Sequence, residues 1–199
     1  MIDNSLNTQI NYGSYGNIKG LISLGEKFND GNVLASVGYQ ESDGYRYNTD
    51  FENISTFLKS NFKNYNFISS FTQRKFGANG FYGYASYEDQ YEETQSSLVA
   101  LTTTFASEKA VWTPRIFWKR GQDEYILIRN NPSAYRNMHI NTKIGFSVDT
   151  KLTHNNGNFS GFGVELSSVS LQSNNLGAHS RTIAHFFFEH RIKFDNFSI

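Results

Sequence analysis

A period of two residues in hydrophobicity is the feature that most limits what this chain can fold into. Between residues 139 and 149 one parity holds apolar residues and a threonine: Ile140, Thr142, Ile144, Phe146 and Val148. The opposite parity holds polar or small residues: Asn141, Lys143, Gly145, Ser147 and Asp149. Successive side chains of a β-strand point to opposite faces, so this segment is predicted to be a strand with one apolar face.

The same alternation, less clean in places, recurs along the rest of the chain. Further strands are predicted at 4–12, 18–28, 33–42, 54–63, 65–76, 97–107, 110–120, 158–170 and 181–193. In the last of these, Phe187 and His190 fall on the wrong parity. No stretch offers apolar residues at helical spacing between recognisable caps. We therefore expect an all-β protein of about ten strands.

The predicted connections alternate in length. Short turns rich in Asn, Asp, Gly or Lys lie near 29–32, 63–64, 108–109 and 155–157, whereas 43–53, 77–96, 121–138 and 171–180 are longer. In an antiparallel up-and-down meander this places the short turns on one rim and the long loops on the other. Outer-membrane β-barrels are organised in this way.

Composition narrows the function further. The 18 basic and 18 acidic side chains cancel, so no net field attracts nucleic acid, and we expect no nucleic-acid partner. The sequence has no Cys, which removes disulfides and thiolate sites. No run of about 18 apolar residues predicts a spanning helix, but a spanning strand needs only about 9–11 residues of alternating character. Aromatic residues near predicted strand ends suit a headgroup-level girdle, or ordinary strand propensity.

Several stretches together resemble a known family. They are 13–17 (GSYGN), 36–51 (SVGYQESDGYRYNTDF), 112–120 (WTPRIFWKR), 129–139 (RNNPSAYRNMH), 163–165 (GVE) and 176–181 (LGAHSR). In order and spacing they resemble successive strands and loops in the barrel of TonB-dependent outer-membrane receptors, in the vitamin and siderophore branch.

The resemblance implies a transport receptor in the outer membrane of a Gram-negative bacterium, taking up a siderophore-type or cobalamin-type ligand. It implies outer-membrane lipid, a plug domain of the same parent chain, and a TonB-type energy-coupling protein reached through that plug as partners. The family's barrel has 22 strands around a plug. Here we find no plug, coupling box, signal peptide or terminal aromatic residue. We therefore expect residues 1–199 to be the first part of such a barrel, lacking its plug, signal peptide and C-terminal half.

Charged residues opposite the apolar rows are expected to face the lumen. They are Arg115, Lys143, Glu165, Glu189, Arg191 and Lys193. A Lys or Arg facing lipid at mid-membrane costs about 2–4 kcal/mol, which is why the lumen is favoured. A hydrogen-bonded wall network and contact with a plug or passing solute are both consistent with this placement.

The predicted loop 121–138 contains the candidate ligand contacts. Tyr125, Arg129, Tyr135 and Arg136 could grip an anionic chelate, although Asn131-Pro132 equally suits a structural turn. His185, Glu189 and His190 do not have the HExxH spacing, and on a strand His190 points away from the other two. No nucleophile elbow, Walker loop or dinucleotide fingerprint occurs, so no enzyme activity, cofactor or metal is expected.

Two other functions stay open at this point. The chain could be a complete small outer-membrane barrel acting as a pore, adhesin or hydrolase. It could also be a soluble β-sandwich that binds glycans through exposed aromatic residues.

Overall fold

A computed structural model describes residues 4–81 and 87–193 of the chain. Within these ranges the strands form one antiparallel sheet of eleven strands, and long strands that are neighbours in the chain are neighbours in the sheet. The strands are β1 Ser5–Tyr12, β2 Ile18–Phe28, β3 Gly31–Ser42, β4 Phe51–Phe62, β5 Tyr65–Gly77, β6 Tyr91–Thr103, β7 Phe105–Ala106, β8 Ala110–Ile126, β9 Arg136–Thr153, β10 Phe159–Ser173 and β11 Gly177–Arg191. The predicted all-β antiparallel meander is confirmed.

The sheet does not close into a barrel. Among the described residues β1 pairs with β2 alone and β11 with β10 alone. One short 3-10 turn, Asn155–Gly157, joins β9 to β10. Within the described part of the chain, no helix has the length and apolar character needed to cross a membrane.

Several strands run further than the alternation predicts. β8 continues to Ile126 instead of ending at 120, and β6 begins at Tyr91 instead of 97. In these extensions both parities are polar, as in Gln122, Asp123 and Glu124, so the hydrophobic period disappears. The backbone ladder nevertheless continues, with Glu124 opposite Glu93. The predicted segment 97–107 divides at Thr104, which makes β7 a separate strand of two residues.

The predicted long connection at 171–180 is wrong. β10 and β11 are joined by a tight turn of three residues, 174–176. The Ser173 hydroxyl accepts hydrogen bonds from the backbone N–H groups of Asn175 and Leu176, at 3.1 and 2.9 Å. Gly177 then supplies the left-handed conformation with φ of 77°. The other connections on this rim are residues 13–17, 43–50, 78–90 and 127–135, and residues 82–86 of the predicted connection 77–96 lie outside the described residues.

The register separates an apolar face of the sheet from a polar face. On the apolar face an unbroken row crosses β5, β6 and β8 to β11: Phe67, Leu101, Ile116, Phe146, Leu166 and Ala184. A second row, Leu6, Leu24, Ala35 and Leu58, crosses β1 to β4. We call the two rows together the apolar band. The polar face carries the adjacent row Asn66, Thr102, Arg115, Ser147, Glu165 and His185.

The apolar face is the more exposed of the two in the middle of the strands. Phe146 and Leu166 are 50% and 53% exposed, whereas Ser147 and Ser167 on the polar face are 6% and 4% exposed. Side chains spread apart on the outside of a curved sheet and crowd together on its inside. This difference indicates that the apolar face is convex and the polar face concave.

Phe187, which breaks the alternation of β11, has a structural partner. It lies directly opposite Gly163 on the polar face, and a methyl group on Gly163 would overlap its ring. The missing side chain on β10 therefore makes room for a ring on β11. The apolar residue on the polar face is accommodated by its neighbour, so it does not disturb the register.

Candidate functional site

Three connections on the long-loop rim fold against each other. They are 43–50 between β3 and β4, 78–90 between β5 and β6, and 127–135 between β8 and β9. We call Asn48, Asp50, Gln90, Tyr91 and Arg129 the loop cluster. Buried hydrophobic residues among those described are Ala78 and Ile126, and both lie at this rim. The buried hydrophobic residues of the described structure thus lie where the loops meet the ends of the strands.

Arg129 is the central cation of the loop cluster. Its guanidinium forms a bidentate pair with Asp50, with Nη1–Oδ1 at 2.7 Å and Nη2–Oδ2 at 2.9 Å. Nη1 also donates to Asn48 Oδ1 at 3.2 Å, and the guanidinium lies 4.7 Å from the centre of the Tyr91 ring. The hydrogen bonds to Asp50 raise the pKa of Arg129 further above its ordinary value, while partial burial opposes the rise. Its charge is therefore paired with that of Asp50 in a half-buried position.

Asn48 connects the first loop to the second. Its side-chain amide donates to the backbone carbonyls of Glu88 at 2.7 Å and Gln90 at 2.6 Å. Asn48 adopts φ of 52°, a left-handed conformation that Asn tolerates better than most residues. The Gln90 side chain beneath it is 1% exposed. Gln90 is thus a polar group held inside the junction of the loops.

Tyr47 and Asp89 make a second link between the same two loops. The Tyr47 hydroxyl donates a hydrogen bond to the Asp89 carboxylate. This hydrogen bond, followed by the negative charge of Asp89, raises the pKa of Tyr47 above its ordinary value. Asn79 adds a third link by donating from Nδ2 to the Tyr47 carbonyl at 2.7 Å. The arrangement holds the two loops at a fixed distance from each other.

A cleft of about 420 Å³ opens beside the loop cluster. Its charged lining residues are Glu41, Asp43, Asp50, Glu52, Lys75 and Arg129. Four carboxylates against two cations leave a formal charge of −2. Both cations are engaged, because Arg129 pairs with Asp50 and Lys75 lies 3.4 Å from Glu52. The negative charge of the cleft favours neutral or cationic groups of a ligand over anionic ones.

The structure does not gather the four predicted ligand contacts into one pocket. Tyr125 and Tyr135 pack edge to face, with ring centres 6.2 Å apart. Arg136 pairs with Glu124 at 2.6 Å, whereas Arg129 pairs with Asp50. Arg129 alone lines the cleft. Ligand binding by these residues stays a prediction.

Five of the six predicted wall residues lie on the polar face by register. They are Arg115, Lys143, Glu165, Glu189 and Arg191. Lys143 and Glu165 form an ion pair at 2.7 Å, and Arg115 donates to Thr102 Oγ1 at 3.3 Å. Lys193 follows β11, and its backbone N–H donates to Asn158 Oδ1 at 2.8 Å. These charges form separate local contacts instead of one site, and the lumen they are predicted to face stays a prediction.

Sequence reasoning missed the partners of Arg129. Asp50 and Asn48 precede it by 79 and 81 residues, and no spacing or motif connects them. Gln90 and Tyr91 were assigned to the predicted loop 77–96 without a role. The one available signal for these partners was the charge of Arg129. A charged residue in a loop that lies near other loops tends to pair with a residue of opposite charge.

Comparisons with known proteins add no family. No family model, no curated protein and no solved structure matches the chain. Within the described ranges, no group of three or more His, Asp or Glu side chains is arranged to hold a metal ion.

Proposed function

We propose that this chain is a segment of the wall of an outer-membrane β-barrel in a Gram-negative bacterium. Following the family resemblance, we further propose that the parent protein is a TonB-dependent receptor that takes up a metal chelate or a vitamin. Its partners would be outer-membrane lipid, the plug domain of the parent chain and a TonB-type energy-coupling protein. The described residues support the barrel wall, whereas the transport activity rests on the family resemblance.

The apolar band on the convex face is the observation that carries the proposal. Water-soluble curved sheets bury their apolar face, but here Ile116, Phe146 and Leu166 are 50–54% exposed on the outside of the curve. Exposed apolar patches of this kind mark contact with another apolar phase or with a partner. Hydrocarbon covering the whole band satisfies it without requiring any second sheet.

The exposed area of the chain supports the same conclusion. The accessible surface is 13164 Å². A compact monomer of this mass exposes about 9,500 Å². The excess fits a sheet whose two faces are meant to be covered, one by lipid and the other by a plug or by water in a lumen.

The open edges favour a partial barrel over the complete small barrel. An edge strand in hydrocarbon leaves backbone groups unsatisfied, each at a cost of several kcal/mol. Among the described residues β1 and β11 each pair with one neighbour, so both edges would stay open in hydrocarbon. We propose that further strands of the parent chain complete the wall. A soluble sandwich would need a second sheet to cover the apolar band, and the described residues form one sheet.

Cysteine labelling on β9 tests the membrane placement. The 199 residues contain no native Cys, so a single Cys substitution is the only labelled site in this segment. In the parent protein inserted in lipid, Cys at 144 and 146 should be shielded from a water-soluble maleimide. Cys at 143 and 147 should be labelled when the polar face is open to water. Equal labelling of both parities would mean that water reaches both faces, and the barrel proposal would fail.

Substitution in the same strand gives an independent test. Ile144→Arg places a charge on the lipid face at a cost of about 2–4 kcal/mol near mid-membrane, so insertion should be impaired. Lys143→Ala is the matched control on the neighbouring position of the polar face and should be tolerated. Both substitutions are made in the parent protein, and its heat-modifiable migration and protease resistance in lipid measure insertion. Normal insertion of Ile144→Arg would contradict the proposed facing.

The receptor part of the proposal has its own test. A plug domain encoded directly upstream of this segment, in the same reading frame, is expected. A monodisperse, heat-modifiable barrel formed by the 199 residues alone would instead favour the complete small barrel. Because neither result depends on the cysteine labelling, the wall and the transport activity can fail separately.

A further inference from the structure

Two histidines converge on one serine at the short-turn rim. His154 Nε2 lies 2.8 Å from Ser160 Oγ, and His190 Nδ1 lies 2.9 Å from the same oxygen. Ser160 is directly opposite His190 in the β10–β11 ladder, while His154 ends the segment that leads into the 3-10 turn. This contact explains why His190 occupies the apolar face against the alternation of β11.

The arrangement fixes where the ring nitrogens point. A hydroxyl has one proton, so it donates to one ring and accepts from the N–H of the other. Both nitrogens are therefore aimed at one point in space, although they come from different segments of the chain. The His154 and His190 rings lie at exposed positions, so solvent and ions reach them.

The distance between the rings suits a shared metal ion. A Zn²⁺–N bond of about 2.0–2.1 Å puts the centre of an imidazole ring about 3.2 Å from the metal. Two rings on one ion are then separated by roughly 5.2 Å at a tetrahedral angle, and by about 5.8 Å at a wider one. The centres of the His154 and His190 rings are 5.8 Å apart. Little backbone movement is needed for both rings to bind one ion.

We propose that His154 and His190 form a binding site for a divalent transition metal that prefers imidazole, such as Zn²⁺ or Cu²⁺. The ring that donates its N–H to Ser160 changes tautomer, and the Ser160 hydroxyl rotates away or stays as a weak neutral ligand. Water completes the coordination, so this is an open site with two protein ligands. The bound ion links the β9–β10 turn to β11. Every residue in the site lies in the β9–β10 connection, in β10 or in β11, at the short-turn rim.

Zn²⁺ binding to the parent protein solubilised in detergent tests the proposal. Equilibrium dialysis should show one bound Zn²⁺ per chain that depends on these two histidines. Loss of a group that merely orients a ligand costs about 10–100-fold in metal affinity, so loss of a ligand should cost at least about 10-fold. His154→Asn and His190→Asn should each show this loss. His179→Asn is the matched control, because His179 is another exposed histidine of β11 and bonds instead to the Leu176 carbonyl.

Two further measurements remove the ambiguity of a structural effect. Ser160→Ala should retain Zn²⁺ binding, because the hydroxyl only occupies the point at which the rings converge. Electron paramagnetic resonance of Cu²⁺ on the unsubstituted chain should show coupling to two imidazole nitrogens, which requires no variant to fold. Absence of two-nitrogen coupling, loss of Zn²⁺ in Ser160→Ala, or an equal loss in His179→Asn would each overturn the proposal.

Discussion

Replacing Arg129 by Met should loosen three loops at once. Met keeps most of the length of the side chain and removes the charge. The bidentate pair with Asp50, the hydrogen bond to Asn48 and the contact with the Tyr91 ring are then lost together. These contacts join segments that the chain itself does not hold together, so the loss should appear as local opening of the rim.

The magnitude follows from the exposure of the groups. The Arg129 and Asp50 side chains are 38% and 37% exposed, so their ion pair is screened and contributes at most about 1 kcal/mol despite its bidentate geometry. The contact with the Tyr91 ring adds about 0.5–1 kcal/mol and the hydrogen bond to Asn48 a similar amount. Because these contributions share one side chain and are not additive, we expect a total of about 2 kcal/mol. This corresponds to about 30-fold more frequent local opening.

Amide hydrogen exchange of the parent protein in detergent measures this opening directly. The informative amides are those of Asn79 and Arg129, which donate to the carbonyls of Asn48 and Asp89 in other loops. The amide of Ala78, which donates to Gln90 at the other end of its own loop, is a third probe. Their exchange should accelerate about 30-fold in Arg129→Met, whereas amides in the middle of β9 and β10 should not change. Asp50→Asn should reproduce part of the effect, and the double variant should lose less than the sum of the two.

Arg136→Met provides the matched control for this experiment. Arg136 also pairs with one carboxylate, that of Glu124, but it is exposed and connects neighbouring strands instead of separate loops. No acceleration of the loop amides is expected from it. Equal effects of the two variants would show that the loop amides respond to any lost cation. An unchanged rate in Arg129→Met would refute the linking role of Arg129.

Two further predictions concern single side chains. The hydrogen bond to Asp89 raises the pKa of Tyr47, so this link should be fully present below the pKa of free Tyr, near 10, and should be lost only as the pH rises through the higher folded value. The difference in tyrosinate absorbance between the unsubstituted chain and Tyr47→Phe measures the ionisation of Tyr47. Ionisation at the free value, or no downward shift of this pKa in Asp89→Asn, would contradict the assignment. Gly163→Ala should destabilise the sheet by about 1–3 kcal/mol, because the added methyl group overlaps the Phe187 ring. Gly161→Ala is the control and should be tolerated, because the nearest contact of its methyl group would be at 3.8 Å. Denaturant midpoints of the two variants measure the difference in stability, and equal midpoints would refute the close packing of Gly163 against Phe187.

The strands could be predicted because their signal is local. In residues 139–149 each side chain reports its own face, so the alternation alone identifies the strand that becomes the middle of β9. The prediction fails where the local signal stops. At the C-terminal end of β8 both faces are polar, so no alternation marks the strand. After Ser173 the composition suggested a long loop, but the Ser173 hydroxyl closes a turn of three residues.

The loop cluster could not be predicted for the opposite reason. The contacts of Arg129 depend on where three loops end in space, and that follows from the register of several strands together. The sequence identified Arg129 as a candidate for binding a ligand, and the structure shows its charge already paired with Asp50. His190 was noticed as a break in the pattern, but its partner His154 lies on another strand connection, which only the ladder brings near.

The pairing between Asp50 and Arg129 constrains how the sequence of these loops can change during evolution. Loops on the outer rim of a sheet ordinarily accept substitutions and insertions independently, because each contacts little beyond itself. Here a change at Asp50 leaves Arg129 without its counter-charge, so viable descendants should exchange the two residues together. The hydrogen bonds of the tight turn at 174–176 run to the adjacent start of β9, where Asn174 and Asn175 contact residues 136–138. A peptide tag inserted in this turn should therefore leave the loop cluster intact, whereas the same tag at 48–50 should disrupt it. Among relatives of this chain, the rim should therefore show paired substitutions between distant positions, with length variation concentrated away from the cluster.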